Sequence, residues 1–299
     1  MIERKDNTYK YQSLEGLYSA EELDAIHHGK VLFAGCGVQS NLAEPLARLG
    51  LGTQGLLILA DPGEVSRRNI DRQFFKPGQE GKKKPVALAE NILELNTEIK
   101  ILAVNEGITQ ENVSMLVNQV DIIGDMVDVA HPEIAFILHE EAKKQGKCTY
   151  TGFDLGNNVK VYFFDYSDKK AMTLTEMLNL PDSITIEDFS QFNSHAISVQ
   201  MLIGQNKIKL LNREQALNFY SVNYFTEEKI HELMESIPKD VQPMIMKVLN
   251  GELDHIPQTG IGGSLMALVH AQIIENVLLK KPIKNVAPSP IIVNLSEII

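Results

Sequence analysis

From Lys30 onward, short apolar runs alternate with longer stretches in which apolar residues recur at a helical period. The apolar runs, residues 31–34, 56–60, 99–104, 121–124 and 148–152, read as strands. Between them, residues 41–49, 84–95, 110–118 and 132–145 read as helices, with Gly50 and Gly146 standing where C-caps belong. Strands separated by helices of this length pair in parallel through right-handed crossovers, so a ligand crevice is expected at their carboxyl ends.

The ends of the chain follow other rhythms. The first 28 residues look helical and polar, with Ser19-Ala20-Glu21-Glu22 reading as a capping box. After Gly152, residues 159–166 alternate like an antiparallel strand, and 168–258 are mixed, with helices over 212–219 and 227–235. Residues 260–279 form an amphipathic helix whose apolar face includes Leu265, Leu268, Val269, Ile273 and Val277, and 290–295 read as a final strand. The expected fold class is therefore α/β: a Rossmann-like, mainly parallel sheet with helices on both faces, continued by antiparallel strands and a C-terminal helix.

Composition narrows the function classes. A chain of 299 residues with 44% hydrophobic content can bury a full core. A net charge of −11 argues against a nucleic-acid surface, which needs a basic excess. The chain has neither a run of eighteen apolar residues nor a signal-like N-terminus, so the expected setting is soluble and cytoplasmic, with no membrane partner. The two cysteines, Cys36 and Cys148, make neither a disulfide framework nor a zinc-binding CxxC pair.

The candidate chemistry lies between Lys30 and Asn96. Gly35-Cys36-Gly37-Val38-Gln39-Ser40 follows a strand and precedes a helix. Gly35 and Gly37 permit close approach of a phosphate or ribose, and the helix start offers N–H groups. Ser40 stands in place of the third glycine of the dinucleotide fingerprint, and Asp61 ends the second strand where a carboxylate can accept ribose hydroxyls. Arg72 and the lysines Lys82, Lys83 and Lys84 add cations that a pyrophosphate site does not need but displacement at a triphosphate does. The plainer reading of the lysines is a solvated basic helix edge. In Asp121-Ile122-Ile123-Gly124-Asp125-Met126-Val127-Asp128, acidic residues at a strand's carboxyl end can hold Mg²⁺; Asp128 can equally cap the next helix.

In this order, the glycine turn, the strand ending in Asp61, Asn69-Ile70-Asp71-Arg72-Gln73, Gly81-Lys82-Lys83-Lys84 and Asp128 resemble the E1-like superfamily of adenylating enzymes, the group of ThiF, MoeB and HesA proteins. The resemblance covers about residues 20–155. It implies that ATP is bound by Gly35, Gly37, Asp61, Asn69, Arg72, Gln73 and Lys84, that Asp128 coordinates Mg²⁺, and that Arg72, Lys84 and Asp128 serve catalysis. It further implies a homodimer and a carboxylate substrate, whether a small ubiquitin-like protein, a peptide or a small molecule, activated as an acyl-adenylate. Residues 1–299 then form a single domain, with an N-terminal helical segment over 1–28, a nucleotide-binding half over 29–155 and a substrate-shaping half over 156–299.

The chain departs from the family pattern in several places. Gly63 occupies the position of a second Asp, Val129 that of an Asn, and Arg4 is the one candidate for an arginine donated to a partner's site. The distal cysteine of thioester-forming members is absent, since nothing between Thr149 and Ile299 is a cysteine. An NAD(P)-dependent oxidoreductase and a non-catalytic nucleotide- or partner-binding member are the alternatives. His195, His255 and His270 have no paired ligand in sequence. Thr259-Gly260-Ile261-Gly262-Gly263-Ser264 reads as a helix entry that permits close packing, with anion binding the other possibility.

Overall fold

The computed structural model describes residues 11–128, 130–203, 210–221, 224–253 and 256–295, so Arg4, Val129 and His255 lie outside the described residues. Strands β1 (Lys30–Ala34), β2 (Leu56–Ala60), β3 (Ile101–Val104), β4 (Ile122–Asp125), β5 (Cys148–Leu155), β6 (Asn158–Asp165) and β7 (Ile291–Asn294) form one sheet in the order β3-β2-β1-β4-β5-β6-β7. The strands β1 to β5 pair in parallel; β6 and β7 join antiparallel. The predicted class holds, with small shifts at the strand ends. The fourth strand ends on Asp125 rather than Gly124, and the fifth runs on to Leu155 before a tight turn into β6.

The helices are α1 (Ala20–His28), α2 (Ser40–Leu49), α3 (Arg67–Ile70), α4 (Lys84–Leu95), α5 (Val113–Asn118) and α6 (Pro132–Gln145) in the parallel half. The second half adds α7 (Leu174–Met177), α8 (Ile186–Ser190), α9 (Ser194–Ile203), α10 (Arg213–Phe219), α11 (Glu227–Ser236), α12 (Gln242–Leu249) and α13 (Gly260–Leu278). Two helical expectations need correction. Residues 11–19 hold a 3-10 turn, Gln12–Leu14, and an isolated bridge between Glu15 and Tyr18, and helix begins at Ala20, where the Ser19–Glu22 capping box forms as expected. The helix expected over 110–118 starts at Val113, after a turn in which Thr109 and Asn112 exchange side-chain to backbone bonds in the manner of a cap.

Alternation along β1 divides the core between the two faces of the sheet. Leu32 and Ala34 join one apolar cluster with Leu138 of α6, Phe189 of α8 and Ala196 of α9. Val31 and Phe33 join the other with Ile26 of α1, Leu42 of α2, Leu88 of α4 and Ile273 of α13. The segment beyond β6, without motifs in sequence, is held by Phe136, Phe189, Phe192, Tyr220 and Tyr224 in successive ring contacts. Its buried hydroxyls are satisfied, Tyr220 donating to the Leu178 carbonyl and Tyr224 to Gln200 Oε1.

The buried face of α13 also differs from expectation. Met266, Ala267, His270, Ile273 and Ile274 face α2, β5 and β6, whereas Leu268 is 58% exposed. This helix is apolar almost all round and by hydropathy alone is long enough to cross a membrane. Its period therefore carried little information about which side packs.

Candidate functional site

The strand order reverses between β1 and β4, and in such sheets the crevice opens at that switch point. Register places Ala34, Ala60, Asp125, Val104 and Thr151 in one row across the sheet. The glycine turn, Asp61 and Asp128 all lie just beyond that row. Gly35 has φ +89°, and a Cβ there would collide with the Met126 carbonyl, so the turn can close against the end of β4 only with glycine. The amides of Gly37, Val38 and Gln39 make no hydrogen bond among the described residues. Unpaired turn amides ahead of a helix are what an anion needs.

A buried side chain holds this turn in shape. Gln39 Nε2 donates toward the carbonyls of Ala34, Gly35 and Gly124 at 3.0–3.1 Å, and its Oε1 accepts from Tyr150 Oη at 2.9 Å. A Cβ on Gly124 would strike both Gln39 and Tyr150. The turn, β4 and β5 are thus tied together by residues that sequence reasoning passed over. The one available signal was an amide side chain in the middle of an otherwise apolar and small-residue motif.

Asp61 is the centre of the polar site. Its Oδ2 accepts the Cys36 amide at 2.7 Å and its Oδ1 accepts the Gly63 amide at 2.7 Å. The departure at Gly63 has a physical reason, since a Cβ there would stand 2.9 Å from Asp61 Oδ1. Lys84 Nζ lies 3.9 Å from Asp61 Oδ2, and the Lys84 amide donates to the Gly63 carbonyl at 3.0 Å, which fixes the start of α4 beside Asp61. The three lysines separate by role. Lys82 pairs with Glu90 at 2.8 Å, and Lys83 pairs with Glu64 and the Pro62 carbonyl at 3.2 Å. The basic-edge reading holds for those two, and Lys84 alone turns to the crevice.

The segment after β2 is anchored to the start of α2. Ser40 Oγ accepts the Phe74 amide and Asn41 Nδ2 donates to the Arg72 carbonyl, both at 2.8 Å. The serine replacing the third glycine is therefore a fastening for the Arg72 segment. Asn69 Oδ1 caps α3 by accepting from the Ser66 amide and hydroxyl. Gln73 Nε2 would meet a Cβ on Gly37 at 3.2 Å, and its buried Oε1 has no partner among the described residues. An unpaired amide oxygen against the turn calls for a donor from a ligand.

At the end of β4 the two acids part company. Asp125 is buried and does not point into the crevice: its Oδ2 meets His139 Nε2 at 3.2 Å, and His139 Nδ1 meets Tyr166 Oη at 2.7 Å. Asp128 is exposed, and its Oδ1 accepts the Ala130 amide at 3.0 Å in a turn, while His131 takes the N-cap position of α6. One carboxylate is no metal cage, and no group of three or more metal-binding side chains occurs among the described residues. A single exposed carboxylate does fit Mg²⁺ carried on phosphates, which keeps most of its shell as phosphate oxygen and water.

The remaining candidates settle into structural places. Cys36 is fully buried, and burial, followed by the Asp61 charge, pushes its thiol well above the ordinary range. Burial and Asp165 push Cys148 up to about 12. Neither is a thiolate near neutral pH. His195 is exposed and His270 fully buried. The glycines before Ser264 serve close packing: Cβ atoms on Gly260 and Gly263 would crowd the Asp71 and Arg72 carbonyls, and one on Gly262 would hit that of Gly156.

Comparison with known proteins places this geometry. A model of the ThiF family matches residues 9–289. The ubiquitin-like modifier-activating enzyme 5 of Aedes aegypti is 35% identical over 101 residues, which are 33% of this chain and 25% of that protein. The chain thus aligns with about a quarter of that relative's length. Among solved structures, PaaA superposes with a TM-score of 0.59 at 16% identity, covering 93% of this chain and 73% of PaaA. E. coli MccB with ATP superposes with a TM-score of 0.52 at 15% identity, covering 88% of this chain and 60% of MccB.

Proposed function

The chain belongs to the ThiF family, and from that premise we propose that it is an ATP-dependent adenylyltransferase that activates a carboxylate. The observation that carries this reading is Lys84, set 3.9 Å from Asp61 directly under the glycine turn while its two neighbours pair elsewhere. Asp61, its carboxylate already oriented by the Cys36 and Gly63 amides, has acceptor capacity left for ribose hydroxyls. The open amides of Gly37, Val38 and Gln39 and the Gln73 side chain line the phosphate and ribose end. Asn69 keeps its Nδ2 donor for the same end. Arg72 and Lys84 supply the cations.

The chemistry asks little more of the protein. The substrate carboxylate is ionised at neutral pH and needs no general base. One of its oxygens attacks the α-phosphorus, the bond from that phosphorus to the bridging oxygen breaks, and pyrophosphate leaves with the electron pair. Arg72 and Lys84 neutralise the charge that builds on the leaving group. Asp128 would hold Mg²⁺, which supplies further charge neutralisation on the phosphates. The acid is the C-terminus of a ubiquitin-like carrier, a peptide or a small metabolite, and the working form is a cytoplasmic homodimer. The enzyme names of the relatives, and the ATP carried by MccB, support the nucleotide and the class of substrate.

Carboxylate-dependent exchange of pyrophosphate into ATP tests the reading. Exchange in the wild type, reduced about a hundredfold by Arg72→Ala, is the expected result. Nicotinamide turnover without exchange would favour an oxidoreductase and sink the proposal. The thiols give a second prediction. Cys36→Ala together with Cys148→Ala keeps exchange within about threefold, because neither thiol is ionised or placed to accept the acyl group. An acyl-thioester trapped on the wild type and lost from this variant would contradict it.

A further inference from the structure

The side chain of Arg72 is held by the other half of the molecule. Its Nε donates to Gln258 Oε1 at 2.9 Å and its Nη1 to the Arg68 carbonyl at 2.9 Å. Gln258 Nε2 in turn donates to Asp154 Oδ1 at 2.5 Å. The polarity of this chain is forced. A guanidinium can only donate and an ionised carboxylate can only accept, so the amide between them has a single orientation that satisfies both.

Its two ends sit on rigid supports. Asp154 lies on β5, three residues beyond Thr151, the residue level with Asp125. At 4% exposure it is a buried carboxylate, and its Oδ2 has no partner among the described residues. Burial raises its pKa, and the hydrogen bond from Gln258 and the nearby charge of Arg72 offset that rise only in part. Core packing gives no reason to bury a half-satisfied acid here, since an apolar residue would fill the same space without the desolvation cost. At the other end, Asn41 holds the Arg72 carbonyl, and the glycine-rich start of α13 lies against the Asp71 and Arg72 backbone. With Nε and one Nη1 hydrogen engaged, Nη2 and the second Nη1 hydrogen make no hydrogen bond among the described residues.

We propose that Gln258, clamped by Asp154, is a positioning residue that orients the Arg72 guanidinium toward the nucleotide's phosphates. The loop entering α13 thereby sets the geometry of a site built on the first half of the chain. This rests on the reading of Arg72 as a phosphate ligand. A free arginine must give up its rotamer freedom when phosphate binds; one already held in place has less to lose. Both polar atoms of the Gln258 side chain are engaged within the protein, Oε1 by Arg72 and Nε2 by Asp154, so its effect passes through Arg72.

Calorimetric titration with ATP and Mg²⁺, on the wild type, Gln258→Ala, Arg72→Ala and the double variant, tests the proposal. Gln258→Ala is expected to weaken ATP binding about tenfold, the lower end of what a charge-assisted hydrogen bond carries. Adenosine, which has no phosphate, should bind it as it binds the wild type. In the double variant, removing Gln258 should cost nothing beyond the loss from Arg72→Ala, because the two act as one unit. Gln258→Ala also takes a donor from the buried Asp154 carboxylate, so a modest fall in melting temperature is expected, and the unchanged affinity for adenosine is what excludes a folding artefact. Unchanged ATP affinity in Gln258→Ala, or losses that simply multiply in the double variant, overturns the positioning role alone. A wild type that binds no ATP overturns the adenylation reading and this inference with it.

Discussion

Replacing Lys84 by alanine is expected to lower carboxylate-dependent pyrophosphate exchange by about 10²–10³-fold, the usual cost of removing one preorganised charge from a phosphoryl site. The expectation is specific to one of three consecutive lysines. Lys82 and Lys83 are committed to Glu90 and Glu64. Lys84 is 18% exposed, its backbone amide is pinned to Gly63, and its nearest anion is Asp61 at 3.9 Å. That separation is long for a direct ion pair, and both Asp61 oxygens are already met by backbone amides, so little stability hangs on the ammonium and it stays available to a phosphate. Lys84→Ala should therefore melt close to the wild type while losing exchange. Lys82→Ala and Lys83→Ala should keep exchange within about twofold, since exposed ion pairs carry little energy. Wild-type exchange in Lys84→Ala, with a functional assay in hand, would remove the residue that carries the proposed function.

Acid is expected to destabilise the fold through His270, on the helix behind the glycine turn. This side chain is 0% exposed, its ring lies 4.5 Å from that of Tyr150, and neither ring nitrogen has a partner among the described residues. Burial pushes its pKa from 6.5 down to about 3. Above pH 6.5 the imidazole is neutral in both folded and unfolded chains, and no penalty arises. Below that, the unfolded chain takes up a proton that the folded chain refuses. Stability then falls by about 1.4 kcal/mol per pH unit until the pH nears the folded value. Urea unfolding should show a loss from this group of roughly 2–3 kcal/mol between pH 7 and pH 4.5. His270→Leu should flatten that acid limb, because it removes the buried imidazole that titrates in acid and breaks no hydrogen bond among the described residues. An equal pH dependence in wild type and variant would show that the acid sensitivity lies elsewhere.

Both expectations start from residues that sequence alone treats unequally. Lys84 stands in a recognisable Gly-Lys-Lys-Lys run at a helix start, and Asp61 ends a visible apolar run. Local order along the chain is enough to make such residues candidates. Nothing local separates Lys84 from Lys82 and Lys83, because the difference is which glutamates lie across the gap. Asp125 and Asp128 present the same difficulty at the end of β4. Alternation and spacing mark both as crevice acids, yet Asp125 is claimed by His139 of α6, whose other ring nitrogen meets Tyr166 just past the end of β6. Gln39 was in plain view inside the glycine motif, but its partners, Gly124 and Tyr150, come from strands far along the chain.

The sequence by itself determined the parallel α/β architecture, the position of the crevice and the residue types gathered around it. Hydrophobic period, turn glycines and helix caps act over a few residues and need no knowledge of the rest. The buried face of α13 and the division of labour among lysines and acids were decided only in three dimensions. So was the chain of bonds from Arg72 through Gln258 to Asp154. An apolar helix can bury any side, and a charged side chain can pair with whatever the fold brings within reach. Those choices depend on distances between segments as much as 186 positions apart, and they exist only once the sheet has assembled them.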